Sequence, residues 1–159
     1  MTVRIRAYQA EDQDRLEACI LELQNFERTL EPDRVEGAQM VARNREELVT
    51  IVRQNRGQIF VAEANAEVVG FVCVRLEHEE DEYLSTLVDY AYISDLVVLP
   101  SHRGQGYGTL LLRFGEEFAS QKGMTMLKIQ VLVKNQQATS VYLQAGFRPY
   151  ELALLKSLE

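Results

Sequence analysis

Three glycines in five residues, Gly104, Gly106 and Gly108, stand between a β-branched apolar run and a helical pattern. Glycine leaves backbone N–H groups uncovered, and at a helix start those groups lie at the positive end of the helix dipole, an arrangement that binds phosphate. The chemistry these residues offer is therefore capture of an anion, and the spacing narrows which one. A dinucleotide loop needs G-x-G-x-x-G, but counting from Gly104 the third glycine position is Thr109. The following strand, Met124 to Val133, has no acidic residue to hold a ribose. A Walker loop needs Gly-Lys-Ser/Thr, and Gly106 and Gly108 are followed by Tyr107 and Thr109. A kinase glycine loop joins two strands instead of opening a helix.

What remains is Arg103-Gly104-Gln105-Gly106-Tyr107-Gly108, which fits R/Q-x-x-G-x-G/A. It resembles the pyrophosphate loop of the GNAT superfamily, the acyl-CoA-dependent N-acetyltransferases. One strand later, Asn135 to Phe147 fits N-x-x-A-x-x-x-Y-x-x-x-G-F. That pattern is similar to the helix lying beside the bound thioester in the same family. Asn, Ala and Tyr on a helix are ordinarily cap and core; two motifs in the right order carry the resemblance, over roughly residues 91 to 150.

The resemblance implies acetyl-CoA as acyl donor, no metal, and direct attack by an amine through a tetrahedral intermediate. Holding two reactants in place contributes about 7–11 kcal/mol of barrier reduction in such reactions. By the same resemblance the backbone of Leu96, Val97 and Val98 pairs with the pantetheine arm, and an amide near Val97 or Val98 polarises the thioester carbonyl. The amides of Arg103, Gly104, Gln105, Gly106, Tyr107, Gly108 and Thr109 take the pyrophosphate, with the Arg103 side chain adding charge. Asn135 binds the pantetheine or orients nearby backbone. Tyr142, also in contact with the donor, protonates the leaving thiolate: a phenol of pKa about 10 serves a thiol of pKa about 8.5.

The base is where this chain departs from its relatives. The two positions where they place a glutamate hold Tyr92 and Gln130 here. Asp95 is the nearest acid, and the sequence puts it forward as the catalytic base, although strand alternation can turn it from the cleft. Glu27 and Glu31, at the end of the first helix, reach the acceptor side through water; water with backbone carbonyls is an equal alternative.

These residues need elements to position them. The apolar run Tyr92 to Leu99, closed by Pro100, predicts a buried strand. Leu110, Leu111, Phe114 and Phe118 predict a helix ending at Gly123. Before them the periodicities predict a strand at Val3–Ala7, a helix from Ala10 to Leu30, and a helix from about Gly37 to Gln54. A hairpin follows, Gln58–Ala64 with Val68–Leu76, then an acidic loop from Glu77 to Glu82; Tyr83 to Asp89 reads as loop or as strand. After them come a strand from Met124 to Val133, a helix from Asn135 to Gly146, and one or two final strands from Phe147 to Leu158. The order β-α-α-β-β-β-α-β-α-β predicts an α/β fold, a single domain over 1–159 with a central mixed sheet flanked by helices.

The 159 residues are 47% hydrophobic and 26% charged, the composition of an ordinary globular domain. No apolar run approaches the roughly 18 residues of a membrane span, and Met1-Thr2-Val3-Arg4 opens no signal-peptide core, so the expectation is cytoplasmic with no membrane partner. Cys19 and Cys73 fall in apolar patterns and read as buried reduced thiols. A net charge of −7 argues against nucleic acid and favours a cationic acceptor, a primary amine on a small molecule or peptide. The resemblance also allows a homodimer. The rival from another class is an acyl-CoA-binding sensor without turnover; Tyr142 favours the enzyme, because a binder needs no acid at the sulfur.

Overall fold

Strand and helix alternate much as the periodicities require. The computed structural model describes residues 3–79 and 89–158, so positions 80–82 of the acidic run and 83–88 beyond it lie outside the described residues. In order come β1 (Val3–Ala7), α1 (Gln13–Leu30), α2 (Gly37–Arg53), β2 (Gly57–Ala64), β3 (Glu67–His78), β4 (Asp89–Val98), α3 (Tyr107–Gln121), β5 (Leu127–Ile129) and α4 (Gln136–Gln144). Short 3-10 turns precede α1 and the glycine loop. The strands form one sheet in the order β1-β2-β3-β4-β5. The first four pair antiparallel and β4 pairs parallel with β5, which makes the sheet mixed, as expected.

Period-two alternation sorts the sheet's side chains to two faces. Ile59, Val61, Phe71, Cys73 and Val97 join Leu16, Cys19 and Ile20 of α1 and Leu48 of α2. Ala62, Val72, Val74, Ala91 and Ile93 join Leu111, Leu112 and Ala119 of α3 on the other. Both thiols lie inside the first cluster, unpaired, and burial pushes each up to about 12, so neither is reactive at neutral pH. Among the described residues no helix is long and apolar enough to cross a membrane.

One polar clamp fixes where β1 enters α1. Asp12, 8% exposed, accepts two bonds from the Arg6 guanidinium (2.7 and 2.9 Å) and one from the Gln9 amide (2.9 Å). Arg6 Nε donates onward to Glu63 of β2 at 2.8 Å. The Arg6 hydrogen bond holds the Asp12 carboxyl below its usual range. A depressed carboxyl contributes stability above its unfolded pKa of about 3.9 and loses it as pH falls through the folded value. Asp12→Asn is expected to cost about 2–3 kcal/mol at pH 7, since it leaves a half-buried guanidinium short of a charge. Urea unfolding of both proteins checks this: the difference should shrink below about pH 4, and a difference unmoved by acid would contradict it.

The end of the chain departs from expectation. β5 runs over only three residues instead of the ten from Met124 to Val133, and Phe147 to Leu158 forms no strand. The physical reason is hydrogen bonding. Among the described residues β4 bonds to β5 only at 91–93, and the far edge of β5 meets no other strand. Without a ladder partner an extended apolar segment is not a strand.

Candidate active site

The two central strands part company at a bulge. Ala91, Tyr92 and Ile93 pair with Leu127, Lys128 and Ile129. On the other edge, Cys73 lies opposite Asp95 while Val74 lies opposite Ile93, so Ser94 is the extra residue. A bulge bends and twists its strand. Beyond it the β4 edge from Asp95 to Val98 faces no strand among the described residues, and a cleft of about 380 Å³ opens there. Its walls are β4, the glycine loop, the extension of β5 through Leu132, α4 and the end of α1. An unpaired strand edge carries N–H and C=O groups that need partners, and an extended ligand with amide groups supplies them.

The glycine loop closes one end. Gly104 and Gly106 adopt φ of 74° and 80°, a backbone region that side chains disfavour. Gly106 caps α3 with no side-chain capping bond, and the first bond across the helix start runs from Leu110 N to the Gly106 carbonyl (3.0 Å). The amides of Tyr107, Gly108 and Thr109 are thus the open donors of that turn. Arg103, Gly104, Gly106, Tyr107, Gly108 and Thr109 all line the cleft; Gln105 is exposed and does not. The Tyr107 side chain is buried in the core and stacks on His102, leaving only its backbone to the cleft. Arg103 is anchored within the chain. Its Nε donates to the Val98 carbonyl (2.9 Å), its Nη2 to Glu22 (2.9 Å), and its guanidinium lies over the Phe26 ring. It ties the loop to β4 and α1 while still lining the cleft beside the loop amides.

The opposite wall carries the titratable groups. Asn135 caps α4, its Oδ1 accepting from the Ala138 amide at 3.1 Å, and it lines the cleft. Tyr142 lines it too, with its ring against Phe147. Burial pushes the Tyr142 phenol up to about 12, and the negative charge of Glu27 works in the same direction. Tyr92 donates its hydroxyl to Gln130 (3.0 Å), so the two residues standing where a glutamate would serve are tied to one another.

The acids divide. The bulge turns Asp95 to the α1 face, where Val97 and Cys73 pack; it lines the cleft there, and its carboxyl accepts from Ser94 Oγ at 2.7 Å. Burial raises its pKa. Glu31 pairs with Lys134 (3.2 Å), whose Nζ also donates to the Leu30 carbonyl. Glu27 lines the cleft too and pairs with Arg34 (2.5 Å); its pKa is raised by burial, lowered in part by Arg34, and raised again by the charge of Asp95. Its position was legible. Leu16, Ile20, Leu23 and Leu30 form the apolar stripe of α1, and 27 completes its four- and three-residue steps. A carboxylate at such a position is carried toward the protein.

A family model described as the acetyltransferase (GNAT) family matches residues 19–147. The aminoalkylphosphonate N-acetyltransferase of Salmonella typhimurium is 32% identical over 94 residues, 59% of this chain and 58% of that protein. An N-alpha-acetyltransferase of Sulfurisphaera tokodaii is 31% identical over 105 residues, 61% of this chain and 60% of that protein. The chain thus spans rather more than half the length of these relatives. Among solved structures, a protein from Clostridium acetobutylicum described as a predicted acetyltransferase, determined with acetyl-CoA, superposes with a TM-score of 0.77 at 17% identity, covering 99% of this chain and 97% of that one.

Proposed function

The chain belongs to the acetyltransferase (GNAT) family, and from that premise we propose that it transfers an acetyl group from acetyl-CoA to a primary amine by direct attack. One observation carries the reading: a single cleft joins an unpaired stretch of β4, an uncapped glycine turn and the Tyr142 phenol. A donor with a diphosphate, an amide-bearing arm and a reactive thioester fits that sequence of groups. The open amides of α3 suit the diphosphate, and the edge of Leu96, Val97 and Val98 suits the arm. When bound, acetyl-CoA supplies an acyl group activated as a thioester. An amide at Val97 or Val98 serves as donor to the carbonyl oxygen, a role worth about 10²–10³ in rate where measured elsewhere. Tyr142 gives its proton to the departing sulfur. Asn135 sets the first turn of α4 on which Tyr142 rides.

For the proton of the amine we assign Glu27 in place of Asp95. Both acids line the cleft and both are raised by burial, the property a base needs, but Asp95 is the more deeply buried and is bonded to Ser94, whereas Glu27 is partly open. Asp95 acts through it, its buried charge opposing ionisation of Glu27. The base must be ionised, so activity falls as pH drops through the raised value. Glu27→Gln is expected to lower kcat/KM about 10²-fold and erase that acid limb. Profiles of kcat/KM against pH decide the matter; an acid limb kept intact by the variant would return the role to Asp95 or to water.

Two acids of the cleft, Glu27 and Asp95, are close enough for the charge of one to raise the other, and the chain carries a net charge of −7. A cationic amine on a small molecule or a peptide N-terminus is favoured. The silent sensor has no support among the relatives above, which are named for transfer. Product analysis is the test: incubation with acetyl-CoA and a mixed panel of amines should yield an acceptor one acetyl group heavier, amide-linked at nitrogen. An unchanged panel, or acetylation of the protein alone, would overturn the reading.

A further inference from the structure

The net charge of −7 is spread over the whole chain, and around the end of α1 three acids already hold cations. Glu27 takes Arg34 at 2.5 Å, Glu31 takes Lys134 at 3.2 Å, and Glu36 takes Arg28 at 3.1 Å. Lys134 also donates to the Leu30 carbonyl (3.0 Å), which ties the β5–α4 connection to the end of α1. Asp95, the other acid of the cleft wall, feels the charges of Arg75 and Glu47 in opposite senses. A polycation therefore meets little unspent negative charge at this end of the cleft.

Of the three pairs, only Glu27–Arg34 has its acid in the cleft wall. The Arg34 side chain is 39% exposed and Glu27 23%, so the bond between them is open to exchange. Arg34 stands on the turn after α1, where its amide donates to the Glu31 carbonyl at 3.1 Å. An ammonium that takes Glu27 displaces the guanidinium. A purely cationic acceptor then leaves two positive charges to share one carboxylate. An acceptor that brings its own acid group restores both pairs: its ammonium replaces Arg34 on Glu27, and its carboxylate replaces Glu27 on Arg34. The planar fork of a guanidinium suits a carboxylate in particular.

We propose that the acceptor is a zwitterion of the amino-acid type, its amine and carboxylate close together, held by exchange of the Glu27–Arg34 pair. The direct contact in that pair sets the scale, because one compact ligand must reach both partners. A peptide N-terminus lacks the second charge, its neighbouring carboxylate being spent in the amide bond. The exchange also survives proton transfer: once Glu27 has taken the amine's proton it no longer offsets Arg34, and the acceptor's carboxylate does. The inference rests on the transfer reading, with Glu27 meeting the amine, and narrows the acceptor within it.

The test sets amino acids beside the amines left when their carboxylate is removed, alanine with ethylamine, phenylalanine with phenethylamine and lysine with 1,5-diaminopentane, all with acetyl-CoA. At least one amino acid is expected to exceed its partner in kcat/KM by about 10–10²-fold, the worth of a bond to a charged group. Arg34→Ala should bring that pair within about threefold, the loss falling on KM for the amino acid, and Arg34→Lys should keep part of the preference. Arg34 is exposed, so neither substitution empties the core. Calorimetry of the same amino acids with CoA present separates the two readings. If no amine is acetylated but amino acids bind in an Arg34-dependent way, the transfer reading fails and this one stands. Equal kcat/KM within every pair, an equal loss on both members in Arg34→Ala, a peptide N-terminus as preferred acceptor, or amino acids that neither bind nor react would each overturn the proposal.

Discussion

Replacing Tyr142 with phenylalanine is expected to lower kcat about 10³-fold while leaving the dissociation constant for acetyl-CoA within about twofold. The substitution removes one oxygen. The ring and its packing against Phe147 remain, and so does the apolar wall that α4 gives the cleft. What disappears is the proton for the leaving sulfur. Burial and the neighbouring Glu27 charge both disfavour the phenolate and push the phenol up to about 12, so the hydroxyl stays protonated over the working range. An alkaline decline in wild-type activity below pH 10 would therefore arise from another group. Rapid-quench single turnovers beside titration calorimetry separate the two readouts. If kcat is unchanged, or if kcat and affinity fall together, Tyr142 is packing rather than acid.

The second large effect is expected in the glycine loop. Gly106→Glu should weaken acetyl-CoA about 10²-fold or more. Gly106 caps α3 at φ 80°, and a Cβ built there meets nothing within 4 Å, so the penalty is not a clash. It has two other sources: the left-handed backbone costs a side chain about 1–2 kcal/mol, and a carboxylate above the open amides repels a diphosphate. Gly106→Asn tells them apart, because asparagine tolerates the left-handed region and adds no charge. The asparagine variant should keep affinity within about tenfold of wild type, since it bears only part of the backbone cost. Equal losses in both variants would assign the effect to backbone shape, and no loss in either would remove the loop from the binding site.

Much of this site is legible in residue order because the signals are local. The Asn135 cap and the Gly106 turn follow from side chains acting on their own backbone within a few residues. The sheet faces follow from alternation, and the Tyr107 ring proves to be core because its helix face is apolar. What was hidden depends on partners distant in sequence. The Ser94 bulge exists only relative to β3, yet it turns Asp95 toward α1 and splits β4 from β5. Arg103 looks like a free cation beside a phosphate loop until Glu22, 81 residues away, and Phe26 are brought against it. The β5 region and the tail have every local property of strands and lack only a ladder to join.

The most direct measurement is initial velocity by thiol release, with acetyl-CoA and an accepted amine varied together. Direct attack within one cleft predicts reciprocal plots that intersect, and thiol release that falls to background when the amine is omitted. Parallel lines would mean that the acetyl group first rests on the protein, and amine-independent release would mean that water is the acceptor; either result would contradict the account.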